Sequence, residues 1–348
     1  MKDILDYPRM EEYLKIFYSE YLLEMFPEAL YEAPLARLEQ VGKTPWGEPF
    51  SIIVDQFMDG VNLILDICEN KERRCISLWD KEEGDWSLER EKKGGREQVF
   101  LLAPAKQAKG AKKPAVIICP GGGYEGVCFS GEGTPVLRFM EAKGYQGFIL
   151  KYRVSPERYP KPQEDLALAI RYVRCHAKEY GIDENNVLVI GASAGGHLCA
   201  LEAAMHEKAA RLAEEELEKI APERVKQYTG ISAKPNKICL SYPVISFETE
   251  PHEGSVQALT GGNEELRKAL SVENLITKDY PPTFVWTCAD DDCVPPSNAI
   301  NMGKALNTAG VPCEMHVYPS GGHGCGLAYS KEAYDWSRAM TEFMEKVK

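Results

Sequence analysis

Apolar positions recur along the chain in two patterns. Short β-rich apolar runs lie at Ala115 to Cys119, Gly147 to Tyr152, Val187 to Ile190, Ile238 to Leu240, Thr283 to Thr287 and Glu314 to Tyr318. Between them, apolar residues return at helical spacing in Pro135 to Lys143, Gln163 to Tyr180, Ala194 to His206, Ser297 to Ala309 and Lys331 to Lys348. In the second of these helices Leu166, Ile170, Val173 and Ala177 form the core-facing stripe, and Gly181 supplies a stop. Strands alternating with helices imply parallel strands joined by crossovers, so the fold class is α/β, a mostly parallel central sheet flanked by helices.

The first hundred residues follow another pattern. Met10, Tyr13, Leu14, Phe17, Tyr21, Leu22, Met25 and Phe26 step by threes and fours, which predicts an amphipathic helix with one buried stripe. Phe50 to Ile67, Arg74 to Trp79 and Gln98 to Leu102 read as strands separated by turn and charge clusters such as Lys81 to Asp85, a meander leading into the main sheet. The expected division is an N-terminal extension of helix and short strands over residues 1–95, packed on a main domain over residues 96–348. For the helix, the alternatives to packing are a contact between copies of the chain, making a homo-oligomer, and a cover over the site. Glu207 to Lys226, rich in Ala, Glu, Lys and Arg, reads as an exposed helical insertion, either a lid or decoration.

Charge and cysteine content narrow the function classes. The formal charge of −12 across 348 residues argues against a nucleic-acid partner, because phosphate binding needs clustered Lys and Arg, and only short basic pieces such as Lys106 to Lys113 occur. No run of about 18 apolar residues appears, so no membrane span is expected. The N-terminal residues carry no export signal, and the eleven cysteines lack paired CxxC spacing, which together predict reduced thiols in the cytoplasm.

One pentapeptide carries the chemistry. Gly191-Ala192-Ser193-Ala194-Gly195 obeys G-x-S-x-G between a predicted buried strand and a predicted helix, the context of a nucleophile elbow. A serine hydroxyl needs a base, and in this architecture the chain order is Ser, Asp, His. Of the six histidines, His323 in Ser-Gly-Gly-His-Gly-Cys-Gly stands in a loop between the last strand and the last helix, where the base belongs. His197, four residues after Ser193, is the rival, but a helix leaving the elbow carries it away. The strand Thr283 to Thr287 runs into Asp290, Asp291 and Asp292, and the spacing Asp-x-x-Val-Pro selects Asp291 as the acid. A metal-binding acidic loop is the weaker reading, since no second cluster of oxygen ligands accompanies it. Gly121-Gly122-Gly123, after the first strong strand, offers side-chain-free backbone; the N–H groups of Gly122, Gly123 and Ala194 are the expected oxyanion donors.

Around these residues, Pro120 to Tyr124, Lys151 to Val154, Tyr159-Pro160, Asp165, Gly191 to Leu198, Ser241 to Ser246, His252 to Ser255 and Gly321 to Gly324 follow in order. From about Lys113 onward the chain resembles the acetyl-esterase and xylan-esterase-like branch of the α/β-hydrolase superfamily, in the neighbourhood of the BD-FAE, hormone-sensitive-lipase-like and prolyl-oligopeptidase-like groups. The resemblance implies the α/β-hydrolase fold and a cofactor-free serine esterase that removes short acyl groups, often acetyl, from carbohydrates or similar alcohols. Carried over by position, Ser193 is the nucleophile, Asp291 the acid and His323 the base. Two departures stand out: Cys119 occupies a position where many relatives have histidine, and the N-terminal extension has no counterpart.

Tyr124 and the pair His252 and Ser255 are the expected substrate-binding residues, with a loop hydrogen bond as the plainer reading of the pair. Cys119, Cys128, Cys288, Cys293 and Cys325 cluster near the site in sequence, but lack zinc spacing and read as small buried hydrophobes rather than metal ligands. A peptidase or amidase of the prolyl-oligopeptidase type and a non-catalytic binding protein of hydrolase fold are the competing functions.

Overall fold

The computed structural model describes residues 73–81, 84–106, 111–329 and 331–347. The expected helix from Met10 to Phe26 and the expected strand from Phe50 to Ile67 lie outside these residues. Nine strands form one sheet: β1 (Arg73–Ser77), β2 (Gly84–Asp85), β3 (Phe100–Pro104), β4 (Lys113–Cys119), β5 (Gln146–Lys151), β6 (Ile182–Ala192), β7 (Lys237–Ser241), β8 (Thr283–Cys288) and β9 (Cys313–Tyr318), in the order β2-β1-β3-β5-β4-β6-β7-β8-β9. From β5 to β9 every neighbour is parallel, whereas β1, β2 and β3 join antiparallel at the other edge. All six predicted strands of the main domain are therefore present. The meander also enters the sheet: residues 73–85 pair through β1 onto β3.

Six helices of eight or more residues are described: α1 (Thr134–Ala142), α2 (Lys161–Cys175), α3 (Ser193–Glu218), α4 (Glu253–Thr260), α5 (Ser297–Ala309) and α6 (Trp336–Lys346). The central strands, from β3 to β8, bury both faces over most of their length, which is why their sequences read as apolar runs. Along β4, Ala115, Ile117 and Cys119 join one core with Leu166 and Ile170 of α2, Leu198 and Leu201 of α3, and Met302 and Leu306 of α5. Val116 and Ile118 point the other way, into a second core with Val136 and Met140 of α1 and Trp336 and Met340 of α6.

Four expectations shift in detail. The stretch Gln163 to Tyr180 breaks at His176, whose ring nitrogen Nδ1 lies 2.9 Å from the Tyr172 carbonyl, and resumes as a single turn ending at Gly181 in the left-handed conformation that favours glycine. The last helix begins at Trp336, not at Lys331. Residues 253–260, where the plainer reading placed His252 and Ser255 in a loop, form α4. Finally, Glu207 to Glu218 is no separate insertion: it is the distal half of α3, continuous with the helix from Ser193 apart from a kink at Met205. Glu214 pairs with Arg171, and Glu216 with Arg153 and Lys161, fastening it to α2 and the end of β5. At about 1.5 Å per residue this half of the helix lies roughly 20 to 37 Å along α3 from Ser193.

Candidate active site

Strand β6 runs directly into α3, and Ser193 sits at the junction with φ of 52°, a left-handed value that costs a residue with a Cβ on the order of 1 kcal/mol or more. The flanking glycines make the turn possible. A methyl at Gly191 would meet the Gly195 backbone, and one at Gly195 would meet the Cys119 carbonyl. The hydroxyl of Ser193 lies 2.9 Å from Nε2 of His323, and Nδ1 of that ring lies 2.8 Å from Oδ2 of Asp291. The structure thus brings Ser193, His323 and Asp291 into one hydrogen-bonded line.

The aspartate is held from behind. Its Oδ1 accepts the backbone N–H groups of Cys293 at 3.0 Å and Val294 at 2.9 Å, so the Asp-x-x-Val spacing that singled it out is the signature of its own turn. Asp290 does a different job: its carboxylate accepts the N–H groups of Gly321 and Gly322 at 3.2 and 2.9 Å, tying the acid loop to the histidine loop. Those bonds to the Gly322 and Gly321 amides pull its pKa below the usual aspartate value.

Gly122 and Gly123 adopt φ of 129° and 65°, and among the described residues neither N–H is given to another backbone carbonyl. Ala194 lies in the first turn of α3, where backbone N–H groups lack helical acceptors and the helix dipole is positive. The Gly-rich loop is braced in ways the sequence did not reveal. Pro120 O accepts the Tyr152 hydroxyl at 2.6 Å, Gly121 O accepts Cys128 N–H at 2.9 Å, and Gly121 N–H donates to Glu132 Oε2 at 2.7 Å. An ideal Cβ on Gly121 would come within 2.7 Å of Ser193 Cβ, so loop and elbow are in direct apposition.

His197 is fully buried, between the Tyr124 hydroxyl at 2.9 Å from Nδ1 and the Leu270 carbonyl at 2.9 Å from Nε2, and it stacks on Phe247. Burial lowers its pKa to about 4, with only the Leu270 bond opposing. It is a core histidine, as expected. Tyr124 requires a correction. With no exposed surface and its hydroxyl committed to His197, it packs the loop from beneath and presents no side chain to a pocket.

Ser255 is likewise fully buried; its N–H and hydroxyl both meet Nδ1 of His252, at 3.2 and 2.8 Å, in the N-cap of α4. Because Nδ1 accepts from the backbone, the ring proton belongs on Nε2. His252 is half-buried, and its Cε1 would lie 3.9 Å from a Cβ on Gly123. Burial lowers its pKa, followed by the positive potential of His323. Of the expected pair, His252 stands beside the Gly-rich loop and Ser255 orients it. The cysteine reading holds for Cys119 and Cys288, which are buried, and fails for Cys128 and Cys293, which are exposed. Among the described residues no helix is long and apolar enough to cross a membrane.

The chain is 32% identical over 232 residues to endo-1,4-beta-xylanase B of Butyrivibrio fibrisolvens, covering 65% of this chain and 34% of that one. It is 30% identical over 220 residues to an acetylxylan esterase of Xylanibacter ruminicola, covering 61% and 41% respectively. It thus spans well under half the length of these curated relatives. Among solved structures, the acetyl ester-xyloside bifunctional hydrolase from Caldicellulosiruptor lactoaceticus superposes with a TM-score of 0.62 at 35% identity, over 71% of this chain and 87% of that one. The BD-FAE family profile matches residues 101–306, more than half of the sequence and every strand from β4 to β8. The chain belongs to the BD-FAE family, within the α/β hydrolases.

Proposed function

We propose that this chain is a serine carboxylesterase that hydrolyses short acyl esters, chiefly acetyl, of carbohydrates. The observation that carries the reading is the His323 imidazole lying between Ser193 Oγ and Asp291 Oδ2. In this reading His323 takes the serine proton as Oγ attacks the ester carbonyl, and Asp291 stabilises the imidazolium. The N–H groups of Gly122, Gly123 and Ala194 receive the oxyanion, each such donor being worth on the order of 10²-fold in rate. Protonated His323 then gives its proton to the leaving alcohol, and water repeats the sequence on the acyl-enzyme. His252, with its proton on Nε2 beside Gly123, supplies a donor to the substrate. The carbohydrate alcohol is supported by the acetylxylan esterase and the acetyl ester-xyloside hydrolase among the similar proteins. In this proposal a catalytic domain of residues 96–348 follows an extension of residues 1–95, whose described part joins the domain through β1 pairing onto β3.

Initial rates on p-nitrophenyl acetate, butyrate and octanoate, and acetate release from acetylated xylo-oligosaccharides, test the reading against a Ser193→Ala control. Turnover confined to short chains and lost in the control is expected. Cleavage of p-nitroanilides with no ester turnover would replace it with an amidase.

A further inference from the structure

Glu132 is a carboxyl that the proposed reaction does not use. It lies on the π-helical turn Phe129–Gly133 ahead of α1 and is 6% exposed. One oxygen accepts Gly121 N–H at 2.7 Å, and the other accepts the Tyr242 hydroxyl at 2.9 Å. Tyr242 follows β7, and its hydroxyl in turn accepts Gly326 N–H at 3.0 Å, three residues beyond His323. The Tyr242 ring meets the edge of the His323 ring with centroids 5.0 Å apart. One buried carboxyl therefore joins three loops: the Gly-rich loop, the turn after β7 and the loop that carries the histidine.

A carboxyl taken out of water costs several kcal/mol unless its oxygens are satisfied, so burial here is a stability liability that an apolar residue would avoid. Each bond it makes constrains the site. Gly121 N–H is drawn inward, which fixes the peptide plane immediately before the N–H groups of Gly122 and Gly123. Tyr242 is held against the imidazole and the backbone behind it. Burial pushes the Glu132 pKa up, and the Gly121 N–H, the positive potential of His323 and the Tyr242 hydroxyl pull it back.

We propose that Glu132, acting through Gly121 and Tyr242, is a positioning residue that sets the separation between the oxyanion donors and the His323 imidazole. The inference rests on the esterase reading above and deepens it. Displacing a catalytic group by about 1 Å costs on the order of 10²-fold in rate, which gives the scale.

The test uses the full chain and the variants Glu132→Gln, Tyr242→Phe and the double variant. The readouts are kcat and KM on p-nitrophenyl acetate, affinity for a short alkyl boronic acid that forms a tetrahedral adduct on serine, and a thermal melt. Glu132→Gln is expected to lower kcat about 10- to 100-fold with KM within about twofold, and to weaken boronate binding by a similar factor, because the lost geometry matters only to the tetrahedral species. Tyr242→Phe should fall in the same way, and the double variant should lose no more than about twofold beyond the worse single, as members of one network do. Wild-type kcat and boronate affinity in the variants, losses that multiply in the double, or a rise in KM alone would overturn the inference. If Glu132→Gln gives no cooperative melt, Tyr242→Phe decides, since it deletes one oxygen and keeps the ring. A wild-type chain inert on every ester overturns the esterase reading and this inference together; an active wild type with indifferent variants overturns the inference alone.

Discussion

The imidazole of His323 and the hydroxyl of Ser193 are 2.9 Å apart although 130 residues separate them in the chain. The contact is made by the sheet: β6 ends at the serine, and the loop after β9 returns the histidine to the same edge. The aspartate end of this line can be tested on its own. Asp291→Asn keeps an oxygen for the Cys293 and Val294 N–H groups and replaces the charged acceptor facing Nδ1 by an amide NH2 donor, which disfavours the imidazole tautomer with its proton on Nδ1. It should lower kcat on p-nitrophenyl acetate by about 10³- to 10⁴-fold at an unchanged melting temperature, whereas Asp290→Asn, which touches only Gly321 and Gly322, should cost less than about tenfold. Equal losses would break the assignment of the acid.

The glycines near the elbow divide sharply. A methyl at Gly195 would collide with the Cys119 backbone, which cannot yield, whereas one at Gly126 would meet nothing within 4 Å. Gly195→Ala should abolish soluble expression or lower the melting temperature by more than about 10 °C, and Gly126→Ala should change stability by less than about 1 kcal/mol. Thermal melts of the two purified variants check this.

His197 makes stability depend on pH. Its folded-state pKa is about 4, below the ordinary value of 6.5, so between these values the unfolded chain binds a proton that the folded chain refuses. Stability therefore falls as pH drops from about 6.5 to about 4. His197→Gln removes this contribution, so its melting temperature should lie furthest below wild type near pH 7 and approach it toward pH 4. The window amounts to roughly 2–4 kcal/mol. A constant gap across that range would count against a neutral buried imidazole.

Glu202 should behave with the opposite sign. It is fully buried on α3, neither oxygen has a partner among the described residues, and burial holds its pKa well above the usual 4.5. A raised carboxyl pKa means the folded chain keeps a proton that the unfolded chain has released, so stability is full below about pH 4.5 and declines as pH rises. Glu202→Gln should match wild type in acid and become progressively more stable toward neutral pH. Denaturant midpoints at pH 4.5 and 7.5 decide it.

Much of this was legible in the sequence because it depends on local spacing. Unbroken apolar runs such as Ala115 to Cys119 mark strands covered on both sides, and β6, Ser193 and α3 follow one another without an intervening loop. Asp291 was separable from its neighbours because its turn closes on Val294, three residues on. What escaped was set by contacts distant in sequence. Nothing near Glu132 announces that Tyr242, 110 residues away, will share its carboxyl. Nor does Tyr124 show, beside three glycines, that its hydroxyl will turn inward to His197. Helix α4 was missed because its cap is a histidine, a residue type outside the usual set of Ser, Thr, Asp and Asn.

The parts of the site are unequally anchored. Ser193 and the Gly-rich loop hang from β6 and β4, in the middle of the sheet, while the histidine hangs from β9, which has a neighbour on one side only among the described strands. Met315 and Val317 of that strand are each 43% exposed. Detaching a rim strand costs less free energy than opening the centre. Under rising denaturant the proposed base should therefore depart while the nucleophile is still in place, so that the proposed turnover is lost at lower denaturant than the far-UV signal of the core. The proposed ester hydrolysis would thus be a gauge of whether the rim of the sheet is closed.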